Sequence, residues 1–536
     1  MSVPFTVQHC CLPHQLTDVE NSFTDVQSYI PTYRVLFEPD EIAENMALNH
    51  RYHIVDAEHV LDNTTGKIER RDIHFKFSPL LDPFRYLTGK YAAKKGPFLM
   101  PPASGVTQDI HPKLVSYANA SYVDCFFNFL SNMLLHHCGF VHGIEYYGTY
   151  IGCQRQFKVN ITDDVEYFRN SKFFYDQVGK LFTTNLPQDY SSTDDVESSR
   201  RRRPLIRVAS LDDVLLDDVT TGESCVTVEP IDAETSIEHV FQRRDSSPAS
   251  SVRSDSELNY SSSDESSSQD DDDMDYDEDE DEDEDEEEDL PNRYAYINNF
   301  PTQLICMEKC EGTLDELFSH GVIDQDQGAS ALMQVVMTLL MYQRRFQFTH
   351  NDLHTNNIMF ASTDVEFLEY VFQEKRYVVP TYGRIFKIID FGRSIYKFQD
   401  HLFCSDSFYA DGDAATQYNF GPILNEHKPV LEPNPSFDLC RLGVSIFDFV
   451  MDVDIPVDEM DEFQKTIYRW CSDDQGKNIL YKRNGEDRYP NFKLYKMISR
   501  TVHQHTPEVQ LEYPLFQQFL CTEAARPASV VTILIE

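Results

Sequence analysis

The eight residues from His350 to Asn357, HNDLHTNN, constrain this chain more than any other stretch because of what surrounds them. Ahead of them runs SALMQVVMTLLMYQRRF. Its apolar residues Leu332, Val335, Val336, Leu339 and Leu340 recur at spacings of three and four, which predicts a long helix with a buried stripe. After them come a short apolar run, IMF, and a second run, RIFKIID, which ends at Asp390 and passes into Phe391 and Gly392. The order is buried helix, H-x-D-x-x-x-x-N loop, strand, second strand, D-F-G, with about 33 residues between Asn357 and Asp390. Either short motif alone recurs by chance. Together, in this order, they make a strong signal, and the chain reads as an α+β fold.

The residue types define a chemistry. Asp352 is a carboxylate able to accept or position the proton of an attacking hydroxyl. Asn357 and Asp390 offer hard oxygen atoms suited to Mg²⁺, and a carboxamide beside a carboxylate adds little repulsion to a site that receives phosphates. Phosphoryl transfer needs a group that orients the attacking hydroxyl and ligands that hold magnesium across the phosphates. His350, Phe391 and Gly392 complete the two motifs as structural support. Further on, NPSFDLCRLGVSIFDF holds Asp438 and Gly443 as D-x-x-x-x-G ahead of an apolar helical run.

Charge and composition exclude other classes. The formal net charge is −44, but 18 acidic residues lie in the block from Asp270 to Asp289, and removing it leaves about −26. Neither part has a basic field for nucleic acid or an anionic membrane, so no direct nucleic-acid binding is expected. Arg200 to Arg203 form one small basic cluster. No apolar run approaches the length of a membrane span, and MSVPFTVQHCCLPHQL lacks the charged start and apolar core of a secretory signal. The twelve cysteines follow no spacing pattern, which points to free thiols in a reducing compartment. HCCLPH and HHCGFVH carry metal-binding residue types without a second ligand pair at a recognisable spacing.

Composition also marks boundaries. Residues 1–45 show no clear period and read as an N-terminal extension. Within 46–186, HIVDAEHVL and DIHFKF flank the turn-rich DNTTG (Asp62 to Gly66) and predict a hairpin. In SYVDCFFNFLSNMLLHH, Val123, Phe126, Phe127, Leu130, Leu134 and Leu135 predict a helix with one apolar stripe. Residues 187–291 turn to Ser, Asp and Glu and read as a disordered acidic insertion, too poor in apolar side chains to offset its ordering entropy. Order resumes over 292–310 with the buried strand TQLICME, followed by 311–525 and a tail, 526–536. TLDELF predicts a helix capped by Thr313, with Glu316 closing a capping box.

With these residues in place, the chain resembles the serine/threonine-protein kinases of iridoviruses and related large nucleocytoplasmic DNA viruses. The matching stretches are KFSPLLDP, THNDLHTNNIMF, KIIDFGRS, SFYADGDAATQYNF, PNPSFDLCRLG and GEDRYPNFKLYKMISRTVH. The resemblance implies a two-lobed protein-kinase-like fold that binds ATP and Mg²⁺ and acts on a protein substrate in the host-cell cytoplasm or the virion. It implies that 46–186 and 292–310 form the N-lobe, interrupted by the acidic insertion, and that 311–525 form the C-lobe. Asp438 would bond the catalytic-loop backbone from below. ICMEKC resembles a kinase hinge, with Met307 as gatekeeper and the backbone of Glu308 and Cys310 meeting the adenine.

The phosphate-holding side departs from that pattern. Lys76 in DIHFKF is the candidate for the lysine that holds the α- and β-phosphates, and Lys158 in QRQFKVNI is the alternative. Asp124 stands where a helix glutamate is expected, and no G-x-G-x-x-G precedes Lys76. Position 351 is Asn where many regulated kinases have Arg, which implies activity without phosphorylation of the loop between Gly392 and Asp438. His354 stands where most protein kinases have a Lys that steadies the γ-phosphate, and D-L-H-x-x-N is similar to aminoglycoside phosphotransferases. Three readings follow: a protein kinase, a pseudokinase scaffold, and a small-molecule kinase. The acidic insertion reads as a solvated tail, as bait for a basic partner, or as a segment lying over the cleft that screens ATP entry.

Overall fold

Alternating and β-rich runs in the first part of the chain build one antiparallel sheet behind a buried helix. The computed structural model describes residues 7–9, 23–91, 98–103, 109–162, 164–169, 171–186, 293–419, 431–451, 456–482, 485–490, 492–521 and 529–536. The expected disorder of 187–291 therefore lies outside the described residues. The sheet holds β1 (Phe23–Gln27), β5 (Ile73–Pro79), β6 (Tyr146–Asn160), β7 (Phe182–Thr184) and β8 (Tyr294–Glu308). Its order is β1-β6-β8-β5, with β7 also paired to β8. The run TQLICME is the buried end of β8. β1 is drawn from the N-terminal stretch 1–45.

The predicted hairpin is corrected. The turn at Asp62–Gly66 joins β3 (His59–Asp62) to β4 (Lys67–Arg70), and β2 (Tyr52–Ile54) completes a separate three-stranded sheet. Gly66 supplies the positive φ of 70° that this turn needs. DIHFKF instead forms β5 and pairs with β8, setting Lys76 opposite Ile305. Turn chemistry identified the turn correctly but not which strand follows it.

The helix α1 (Ala120–Cys138) begins at Asn119, whose side chain accepts from Ser121 N, and stops at Gly139 with φ 62°. Every residue from Ser121 to Leu134 is buried, so the expected single stripe is corrected to burial all round. One face meets Tyr146 of β6 through Cys125 and Phe129; another meets Phe348, Phe391 and Tyr396 through Phe127.

The second part follows the predicted order. Thr313 and Glu316 form the capping box of α2 (Leu314–Ser319), and α3 (Gln325–Phe346) is the long buried helix. The loop that follows leads to β9 (Ile358–Ser362), which pairs with β12 (Arg384–Ile388). Between them lies a hairpin absent from the sequence reading, β10 (Phe367–Phe372) and β11 (Lys375–Pro380). Its turn residues Gln373 and Glu374 both take positive φ, 47° and 64°, without the Asn or Gly that signals such a turn. The C-terminal run β13 (Val530–Leu534) lies parallel to β10. The helices α4 (Phe437–Val450) and α5 (Lys493–Thr501) pack on one another below the loop. The result is a mixed α/β fold consistent with a kinase-like one.

Candidate functional site

Lys76 and Asp390 stand 314 residues apart in the chain, and the fold draws them and most of the other predicted site residues together. Three of these groups meet at the Lys76 ammonium. Nζ lies 2.7 Å from Asp124 Oδ2 of α1 and 2.8 Å from Asp390 Oδ1. Burial disfavours the ammonium, but the two carboxylates outweigh it and hold the Lys76 pKa above its ordinary value. Lys76 chiefly holds Asp390 down at about 2, against burial. For Asp124, which is 2% exposed, burial wins and the pKa is raised despite Lys76. Asp124 Oδ1 also accepts from Phe391 N (2.8 Å) and Asn128 Nδ2 (3.0 Å), so α1 is fastened directly to the D-F-G segment. The alternative, Lys158, sits elsewhere, 3.9 Å from the centre of the Tyr294 ring.

The loop between α3 and β9 is held from below. Buried Asp438 accepts from His350 N (2.8 Å) and Asn351 N (2.9 Å). Burial pushes its carboxyl up to about 6, against the pull of His350 and the two backbone bonds. His350 Nε2 reaches Ile389 O (2.9 Å) while Nδ1 accepts from Asp352 N (3.3 Å), a pattern that the Nε2–H tautomer satisfies. Asn351 is fully buried at φ 66° and bonds Arg393 O, Gln417 Nε2 and the Tyr418 hydroxyl. Phe391 packs between Phe127 and His350, so the two motifs share one aromatic cluster. A Cβ on Gly392 would meet Asp390 Oδ1 at 3.6 Å, an ordinary contact.

Asp352 accepts from Tyr495 Oη through Oδ1 (2.7 Å) and from Arg393 Nη1 through Oδ2 (3.2 Å). Burial would raise its pKa, but Arg393, Arg441 and His354 together lower it. Asn357 Nδ2 donates to Asp352 O (2.9 Å), while its Oδ1 has no hydrogen-bond partner among the described residues. Asp390 is half exposed, and its Oδ2 is likewise without a hydrogen-bond partner there. Two hard oxygen atoms left open near the Lys76 ammonium fit a Mg²⁺–nucleotide donor set. Burial, and next Arg441, lower His354 to about 4, so its imidazole is neutral at pH 7.

At the end of β8, Met307 is buried, and Glu308 binds Lys387 Nζ (2.5 Å) and Glu145 N (2.8 Å) through its side chain. Glu308 N is used by Glu145 O, whereas Cys310 N has no hydrogen-bond partner among the described residues. Burial pushes the Cys310 thiol up to about 12. The described cysteines are all free, and none of the described residues form a group of three or more His, Cys, Asp or Glu placed to hold a metal. No described helix is long and apolar enough to cross a membrane.

Sequence reasoning missed three residues around Asp352. Arg393 directly follows D-F-G and was within its reach. Arg441 sits inside the Asp438–Gly443 motif. Tyr495 lies 143 residues from Asp352, and no local pattern links the two.

No protein-family model matches the chain. Over 76 residues it is 30% identical to the serine/threonine-protein kinase haspin homolog of Arabidopsis thaliana, covering 14% of this chain and 13% of that protein. Over 118 residues it is 32% identical to a Dictyostelium discoideum protein described as a probable serine/threonine-protein kinase, covering 19% of this chain and 9% of that one. The chain thus spans about a tenth of the length of these curated relatives. Its similarity over these stretches is to serine/threonine-protein kinases.

Proposed function

We propose that this chain is an ATP- and Mg²⁺-dependent serine/threonine protein kinase with a two-lobed fold, the lobes joined at Glu308–Cys310. The observation that carries the reading is the convergence of Lys76, Asp124 and Asp390 in one ion-pair cluster, coupled through Phe391 and His350 to Asp352 and Asn357. In this reading Asp352 orients the substrate hydroxyl, Asn357 and Asp390 hold the metal, and Lys76 orients the α- and β-phosphates. Bound Mg²⁺ would neutralise the phosphate oxygens. The open Cys310 N–H meets the adenine beside Met307 and the Glu308 backbone. His354, neutral at pH 7, donates to the γ-phosphate from its ring. The substrate is a protein, the acidic insertion engages a basic partner, and the setting is viral, in host cytoplasm or virion.

The test is transfer of label from ATP with Mg²⁺ to a generic protein substrate, beside an Asp352→Ala control. Transfer that disappears in the control supports the reading; equal transfer by both proteins overturns it. A pseudokinase scaffold is the second reading, favoured by one observation: β5, which carries Lys76, is an edge of its sheet, so no phosphate-covering hairpin pairs with it among the described residues. That reading expects no transfer and no ATP-dependent thermal shift. Transfer only to small hydroxyl compounds would favour the aminoglycoside-phosphotransferase-like alternative.

A further inference from the structure

Resting on the kinase reading, we propose that Tyr495 is a positioning residue for Asp352. Its hydroxyl, backed by the Arg441 guanidinium, fixes the carboxylate rotamer and directs one oxygen lone pair toward the incoming substrate hydroxyl.

The direction of the tyrosine proton follows from its neighbours. Arg441 Nε donates to Tyr495 Oη at 2.9 Å, and a guanidinium has no acceptor. The phenolic proton therefore points at Asp352 Oδ1, 2.7 Å away. Arg441 is buried, its guanidinium lies 5.1 Å from the Tyr495 ring centre, and the ring is stacked on Phe492 at 4.7 Å with planes 4° apart. Buried Leu494 and Ile498 anchor α5, so the hydroxyl is delivered by a rigid element. On the other oxygen, Arg393 holds Asp352 Oδ2 while its second nitrogen binds Asp413 (2.7 Å). Each carboxylate oxygen has two lone pairs. With a donor held on each oxygen, the carboxylate cannot rotate freely, and its open lone pairs have fixed directions. The charged and titratable groups facing Asp352 are Arg393, with Asp413 behind it; Arg441 and Asp438 of α4; Tyr495 of α5; and His350 and His354 of its own loop.

The test is Tyr495→Phe, which keeps the stacked ring and removes only the hydroxyl. With the protein substrate, kcat should fall about tenfold, the typical effect of losing one charge-assisted hydrogen bond. KM for ATP should not change. A cycle of Tyr495→Phe and Asp352→Ala in urea unfolding should be non-additive. Wild-type transfer with an unchanged kcat in Tyr495→Phe overturns the positioning role and leaves the kinase reading standing. An additive cycle overturns the contact itself. A wild type that transfers nothing overturns the kinase reading, and this role with it.

Discussion

Replacing Lys76 by Met gives the sharpest test of the ion-pair cluster. At 2.7 Å and an effective dielectric of about 20, the attraction to Asp124 is about 6 kcal/mol. Asp390 is 49% exposed, and a water-like dielectric reduces its share to about 1.5 kcal/mol at 2.8 Å. Asp124 is therefore the partner whose loss matters. Desolvation offsets much of that attraction, and breaking a buried pair costs about 3–5 kcal/mol. Lys76 keeps 27% exposure, which favours the lower end, and burying the Met side chain returns about 1 kcal/mol. The expected loss is about 2–3 kcal/mol, read by urea unfolding through the fluorescence of buried Trp470, the only tryptophan. Burial already raises the Asp124 pKa, and without Lys76 it rises further. A carboxyl raised in the folded state takes up a proton on folding, so the variant should lose more stability than wild type as pH rises through that pKa. Adding Asp124→Asn removes the stranded charge while keeping an acceptor for Phe391 N, and should restore the variant to within about 1 kcal/mol of wild type. A double variant no more stable than Lys76→Met would refute the argument.

Three further expectations rest on other contacts. Asp406 accepts from Ala120 N at the start of α1 (3.0 Å) and from Lys113 Nζ (2.7 Å); Asp406→Ala should cost about 2 kcal/mol and speed amide exchange in the first turn of α1. Asn351 is held by the neutral groups of Gln417 and Tyr418, so phosphatase treatment of an active preparation should leave turnover unchanged; loss of turnover would contradict it. His354, lowered to about 4, binds fewer protons folded than unfolded, so between about pH 6.5 and 4 it contributes a loss of stability as pH falls. Urea midpoints of His354→Gln should fall less steeply than wild type across that window.

The parts of the fold legible in the sequence were those whose signal is local. The Thr313 capping box, the α3 stripe and the strands β9 and β12 each carry their pattern within a few residues. The pairing of β5 was not legible, because a strand bounded by a good turn does not declare its partner, and β8 lies more than 200 residues away. The β10–β11 hairpin was passed over because Gln373 and Glu374 take positive φ without a turn residue's composition. Around Asp352, the motif named the carboxylate but not its clamps. Arg393 and Arg441 were visible as neighbours of known motifs, yet their direction depends on tertiary packing, and Tyr495 depends on it entirely.

The backbone itself marks where this packing is spent. Asn351 and Asp390 are both non-glycine residues at positive φ, 66° and 63°, a conformation that costs of order 1–3 kcal/mol and persists only where neighbours over-determine it. Each is over-determined differently. At Asn351, Asp438 binds the backbone N–H and Tyr418 and Gln417 bind the side chain, so the conformation is fixed by buried hydrogen bonds within the protein. At Asp390, the side chain is half exposed and its Oδ1 accepts from the Lys76 ammonium, which it shares with Asp124. Any phosphate drawn to Lys76 must compete with that ion pair. The strain beside Asp352 is thus permanent, while the strain at Asp390 is tied to a contact that an anion can exchange. In the kinase reading the hydroxyl-orienting half is pre-organised, and the phosphate-holding half is where binding must do its work.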